Sequence, residues 1–137
     1  MKTEILYEDN SILVIRKQAG LAVQSAGIGQ ADVVSELKSH LAKLPGAGRP
    51  GKGEPYLGIV HRLDQPVEGL LVFAKDKKAA AALSKQLTEG ALNKHYYAVL
   101  CGYPDCPEGD LVDYLRKEGN MAVAVTGREQ EFADAKI

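Results

Sequence analysis

Hydrophobic and polar positions alternate at the start of the chain. In "EILYEDNSILVIRK" (4–17), Ile5 and Tyr7 alternate with polar neighbours and "ILVI" forms a buried run. Asp9, Asn10 and Ser11 between them supply turn chemistry, so two short strands around a tight turn are expected. A glycine-rich loop, "QAGLAVQSAGIGQ", follows. In "DVVSELKSHLAKL" (32–44) the period lengthens: Val33, Val34, Leu37, Leu41 and Leu44 share one helical face, with Asp32 as the cap and Pro45 as the stop. The strand period returns in "YLGIVHRL" (56–63) and "GLLVFAK" (69–75), which bracket a turn at "DQPVEG". Asp76 caps a second helix, "KKAAAALSKQLTEG" (77–90), ending at Gly90. "NKHYYAVLCG" (93–102), "LVDYL" (111–115), "MAVAV" (121–125) and "EFADAKI" (131–137) read as further strands. Many strands with two helices set between them predict an α+β domain, a mostly antiparallel mixed sheet with two or more flanking helices.

Composition narrows the class. A chain of 137 residues, 45% hydrophobic and 26% charged, is expected to fold as one globular domain, residues 1–137, with a core that needs no disulfide or metal. Cys101 and Cys106 flank "GYPD" with no histidine at ligand spacing, so two reduced thiols are expected and zinc is not. "MKTEILYEDN" has no apolar stretch of a signal peptide, and no apolar run can span a bilayer; the expected compartment is the cytoplasm. The formal net charge of −1 gives no global attraction to a polyanion, so any nucleic-acid contact must be local. Lys38, Lys43, Arg49 and Lys52 form one candidate basic stretch, for which a helix end followed by a solvated loop is the preferred reading over a nucleic-acid patch.

The densest chemistry lies in "GIVHRLDQPVEGLLVFAK" (58–75). On an extended backbone Arg62 and Asp64 share one side, and His61 and Leu63 take the other. Residues two apart on a strand lie about 6.5–7 Å apart, near enough for the guanidinium to keep the carboxylate ionised without clamping it. An ionised carboxylate at the mouth of a cleft is a nucleophile or a base. An isolated Arg-x-Asp is more often a salt bridge pinning a strand end. His61, on the opposite side, reads as a hydrogen-bonded core residue. A hydrolase built on His61 and Asp64 is disfavoured because the two side chains diverge and no serine or cysteine nucleophile sits in an elbow motif.

The longer string "HRLDQPVEGLLVFAK" resembles the signature of the RluA-type pseudouridine synthases: His-Arg-Leu-Asp, two variable residues, then Gly-Leu-Leu and an apolar strand ending in Ala-Lys. "ILYEDNSILVIRKQAGLAVQ" resembles the opening strand pair of that family, and "NKHYYAVLCG" its Lys-x-Tyr-x-Ala strand, with Lys94, Tyr96 and Ala98 in place. The resemblance implies a pseudouridine-synthase-like catalytic domain that isomerises uridines in structured ribosomal or transfer RNA. It needs no metal, nucleotide or organic cofactor and no obligatory protein partner. It further implies Asp64 as the catalytic aspartate, Arg62 as an RNA contact near the everted base, and Tyr96 as the ring that packs on the uracil.

Three departures stand out. Gln18 replaces a usual proline, Val67-Glu68 replaces a common Thr-Ser, and nothing corresponds to the later Gly-Arg-x-His-Gln-Ile-Arg motif. The expectation is a partial domain, roughly the first two-thirds, with no accessory RNA-binding domain ahead of it. The alternative is a truncated or inactive synthase-like module that binds RNA without modifying it.

Overall fold

The computed structural model describes residues 3–25, 29–44, 53–119, 121–127 and 135–136. The chain divides into two compact units, Met1–His95 and Tyr96–Ile137.

In the first unit, β1 (Glu4–Glu8) and β2 (Ile12–Lys17) form a hairpin. The Asp9 carboxylate builds the turn by accepting from the amides of Ser11 and Ile12, both at 2.7 Å. Helix α1 (Val33–Leu41) follows, with Asp32 accepting from Ser35 N at 2.7 Å and from Ser25 N at 2.9 Å. The short strand β3 (Gly58–Ile59) and β4 (Gly69–Ala74) complete a sheet of order β1-β2-β4-β3, and α2 (Lys77–Thr88) starts at its Asp76 cap. Every strand pairing in it is antiparallel, and a lone parallel bridge joins Ala22 to Asp32.

Alternation along β2 and β4 sends Leu13, Ile15, Leu71 and Phe73 to one face, where Val33, Val34, Leu37 and Leu41 of α1 close the core. Ala74 and its partner Gly58 point the other way, and a Cβ on Gly58 would stand 3.1 Å from Cβ of Ala80 on α2. The Glu8 carboxylate joins β1 to α1 through His40 (2.8 Å) and to the end of β4 through Lys75 (2.7 Å).

The second unit contains β5 (Tyr114–Glu118) flanked by β6 (Met121–Val125) and β7 (Ala135–Lys136), all antiparallel.

The α+β class with antiparallel sheets and two helices is as expected, but three strands differ. The strand expected over 56–63 is only two residues long, because the chain leaves the ladder after Ile59. The strand expected over 111–115 begins at Tyr114. Residues 93–102, expected as a strand, form none: nothing pairs with them among the described residues. Of "EFADAKI", only Ala135 and Lys136 lie among the described residues, in β7. Arg49 and Lys52 lie outside the described residues, and Lys38 is paired with Glu54 at 2.6 Å. No described helix is long and apolar enough to cross a membrane.

Candidate active site

Beyond Ile59 the chain stays close to β4 without backbone pairing. The Nε2 of His61 accepts the Val72 N–H at 3.2 Å, on the β3 side of β4, and so continues the ladder with a side chain. An imidazole that accepts at Nε2 carries its proton on Nδ1. Burial, and then the Lys94 charge, hold the His61 pKa below its ordinary value. Leu63 packs against the core, and its Cδ1 lies 3.0 Å from where a Cβ on Gly69 would sit, so that close approach favours glycine at 69. With His61 and Leu63 turned inward, Arg62 and Asp64 are both exposed. The alternation read from the sequence therefore survives in side-chain exposure, although the ladder does not.

Asp64 opens a turn closed by Val67 N donating to the Asp64 carbonyl at 3.1 Å. No ion pair joins Arg62 to Asp64 among the described residues. Behind the turn stands the loop after β2. The Gln65 carbonyl accepts from Gly20 N at 2.8 Å, and Gln65 Nε2 returns a hydrogen bond to the Gly20 carbonyl at 3.0 Å. Gly20 holds φ at +84°, a conformation that glycine adopts without cost. Glu68, the added acid, faces Arg16 at 3.9 Å, and Arg16 is held in turn by Glu4 at 3.0 Å. Its charge is thus partly answered from β2.

Sequence reasoning passed over Lys17. It is fully buried and donates to the carbonyls of Leu21 (2.7 Å), Gln65 (3.0 Å) and Gln18 (3.1 Å). The signal was present: alternation from Leu13 and Ile15 puts this lysine on the core face. Burial lowers its pKa, while the charges of Asp64 and Glu68 act in the opposite direction.

Tyr96 begins the second unit and is 66% exposed. Arg62 and Asp64 therefore come together on one exposed turn of the first unit, and Tyr96 belongs to the other. A cavity of about 330 Å³ lies along α1, lined by Gln24, Asp32, Ser35, Lys38 and Glu54 among others, and none of the three predicted site residues borders it. No group of three metal-ligating side chains is assembled among the described residues.

The comparisons with known proteins agree with one another. The family model described as RNA pseudouridylate synthase matches residues 11–136. Ribosomal large subunit pseudouridine synthase D of Zymomonas mobilis is 42% identical over 103 residues, covering 74% of this chain and 31% of that protein. Dual-specificity RNA pseudouridine synthase RluA of Vibrio vulnificus is 36% identical over 107 residues, covering 78% of this chain and 38% of that one. The solved structure of human RNA pseudouridylate synthase domain containing 4 superposes with a TM-score of 0.68 at 26% identity, covering 89% of this chain and 47% of its own. The chain thus spans about a third of the length of these curated relatives and about half of the solved chain. A family model running through both units, with such relatives over three-quarters of the sequence, makes this chain a member of the RNA pseudouridylate synthase family.

Proposed function

We propose that the chain carries the reactive carboxylate of an RNA pseudouridine synthase acting on uridines of ribosomal or transfer RNA stem-loops, in the cytoplasm and without an obligatory protein partner. The reaction cleaves the bond between uracil N1 and ribose C1′, turns the base, and joins C5 to C1′, with loss of the C5 proton to solvent and protonation of N1 in its place. Atoms and electrons balance without an oxidant or a cofactor. Asp64 is the group able to act covalently or as a base; Arg62 contacts the RNA near the vacated stack; Tyr96 stacks on the base. Flipping the uridine costs a few kcal/mol, least in loops and bulges. Cationic and aromatic contacts offset that cost. We read both units as parts of one catalytic domain, a reading supported by the family match across them.

The observation that carries the proposal is Asp64: an exposed carboxylate on a turn whose backbone is held from behind and which no basic side chain clamps among the described residues. The test is tritium release from RNA labelled at uridine C5. Asp64→Asn should abolish release and leave RNA affinity nearly unchanged, because phosphate contacts dominate affinity. Release by Asp64→Asn at the wild-type rate would overturn the assignment. RNA binding by a wild-type chain that releases no tritium would favour the alternative, a synthase-like module that binds RNA without modifying it.

A further inference from the structure

We propose that Arg16 binds an RNA phosphodiester beside the Asp64 turn and that Glu68 gates it, its carboxylate holding the guanidinium until a phosphate takes its place. This rests on the reading, given above, of the Asp64 turn as the face that meets RNA.

The sheet sets the placement. Leu13, Ile15 and Lys17 take the core face of β2, so Arg16 projects from the opposite face, one residue before the strand ends. Its register partners are Glu4 on β1 and Leu70 on β4. Glu68 comes two residues before Leu70, where the turn opened by Asp64 enters the sheet. Arg16 therefore stands at the foot of that turn. The charges of Asp64 and Glu68 both act on the Lys17 ammonium, the next residue along β2, which puts the two acids in one neighbourhood. Leu70 is 61% exposed, so the patch is open among the described residues.

Two carboxylates flank this one guanidinium, an excess of negative charge at a place that has to admit a polyanion. A chain with a net charge of −1 supplies no general attraction to offset it. The two contacts differ in kind. Glu4 meets Nη2 of Arg16 at 3.0 Å, whereas Glu68 meets Nε at 3.9 Å, beyond hydrogen-bond reach. Glu4 anchors the fork from a neighbouring strand; Glu68 offsets its charge without engaging a donor. All three side chains are roughly half exposed, and ion pairs so placed are worth little, so the Glu68 contact gives way easily. A phosphate replaces it with charge-assisted hydrogen bonds matched to the planar fork, and releases counterions as it does so.

Fluorescence anisotropy of the full chain with a labelled uridine-containing stem-loop reads binding without turnover. Arg16→Gln should weaken binding about three- to tenfold at low salt and make the slope of log association constant against log salt shallower by about 0.7–0.9, the share of one phosphate. Arg16→Lys keeps the charge and loses the fork, so it should restore the slope and only part of the affinity. Glu68→Gln should tighten binding about three- to tenfold, and the same change made in Arg16→Gln should alter it less than about twofold. Wild-type affinity and slope in Arg16→Gln overturn the phosphate contact, and so does an affinity loss that tracks a fallen urea midpoint. Equal tightening by Glu68→Gln in both backgrounds overturns the gate, because the acid then repels RNA unaided. A wild-type chain that binds no stem-loop overturns the proposal outright. One that binds and releases no tritium defeats the isomerase reading alone, and the double-mutant cycle still decides the gate.

Discussion

His61 is where the sequence motif and the β-sheet meet, and its removal has a calculable cost. In His61→Ala the Val72 N–H loses its acceptor at a half-buried position between β4 and a chain that offers no backbone partner. An unmet buried donor costs about 1–3 kcal/mol, and partial access of water places this one toward the lower half. Lost packing of a half-buried ring brings the sum to about 2 kcal/mol. With a urea slope of about 1–2 kcal/mol per molar for a unit of this size, the midpoint should fall by about 1 M or slightly more. His61→Gln offers an amide oxygen to the same N–H and does not titrate, so it should recover part of the loss. The pH dependence separates the two variants further. The folded-state pKa of His61 lies below its ordinary value of 6.5, so the unfolded chain binds the proton more readily than the folded one. Stability from the neutral imidazole is then fully present above about pH 6.5 and is lost as pH falls from there through the folded pKa. Protonation would also set an Nε2–H against the Val72 N–H. Urea midpoints of wild type and His61→Gln, taken from pH 7.5 to 5, should therefore converge as the solution is acidified. An alanine variant within 0.5 kcal/mol of wild type at pH 7.5, or a glutamine variant that tracks wild type across the whole range, would refute this account.

Asp32→Ala removes a carboxylate, 5% exposed, that accepts from two amides, and should cost about 2 kcal/mol in urea unfolding at pH 7, the upper end for a cap. Burial raises the Asp32 pKa, but the hydrogen bonds from Ser35 and Ser25 together with the Lys38 charge outweigh it and the net shift is downward, so the deficit of the variant should shrink as pH falls below 3.8. Gly20→Ala meets no atom within 4 Å, so its effect is purely that of φ at +84°, a loss of about 1–2 kcal/mol by the same urea assay. For RNA binding read by fluorescence anisotropy, Tyr96→Phe should match wild type and Tyr96→Ala should lose about 1–3 kcal/mol; equal weakening by both would remove the stacking role.

Elements whose ends are marked by side-chain chemistry were legible. Asp9, Asp32 and Asp76 each receive the amides that the turn and cap readings require, and α1 presents Val33, Val34, Leu37 and Leu41 to the core as their spacing dictates. Inside the motif, the inward turn of His61 and Leu63 and the outward turn of Arg62 and Asp64 followed from alternation alone. What stayed hidden depends on partners distant in sequence. That "YLGIVHRL" leaves its ladder after two residues follows from His61 capturing a donor eleven positions away. The role of Lys17 depends on a carbonyl 48 positions away. Periodicity reports which face of a segment is buried; it carries no record of which distant group the buried atom meets.

The same limit explains "NKHYYAVLCG". Its alternating tyrosines and branched residues satisfy every local criterion for a strand, yet Tyr97 and Val99 are fully exposed and the segment enters no ladder among the described residues. β-propensity measures the fit of side chains to a pleated, half-buried surface, so it is realised only where a neighbouring edge exists to supply that surface. β2 has such an edge on both sides, in β1 and β4, and pairs with β4 in unbroken register from Ile12 to Lys17. Among the described residues, 93–102 have the pattern without the edge. An isolated extended segment cannot offset the entropy of ordering its backbone, and its N–H and C=O groups are served equally well by water. Ordering of this segment, and with it of Tyr96, therefore requires a second surface. If RNA supplies that surface, amides 95–101 should gain exchange protection when a uridine-containing stem-loop is added, while those of β2 and β4 stay as they were. Protection that does not change on RNA addition would mean that Tyr96 is not ordered by the base it is proposed to stack on.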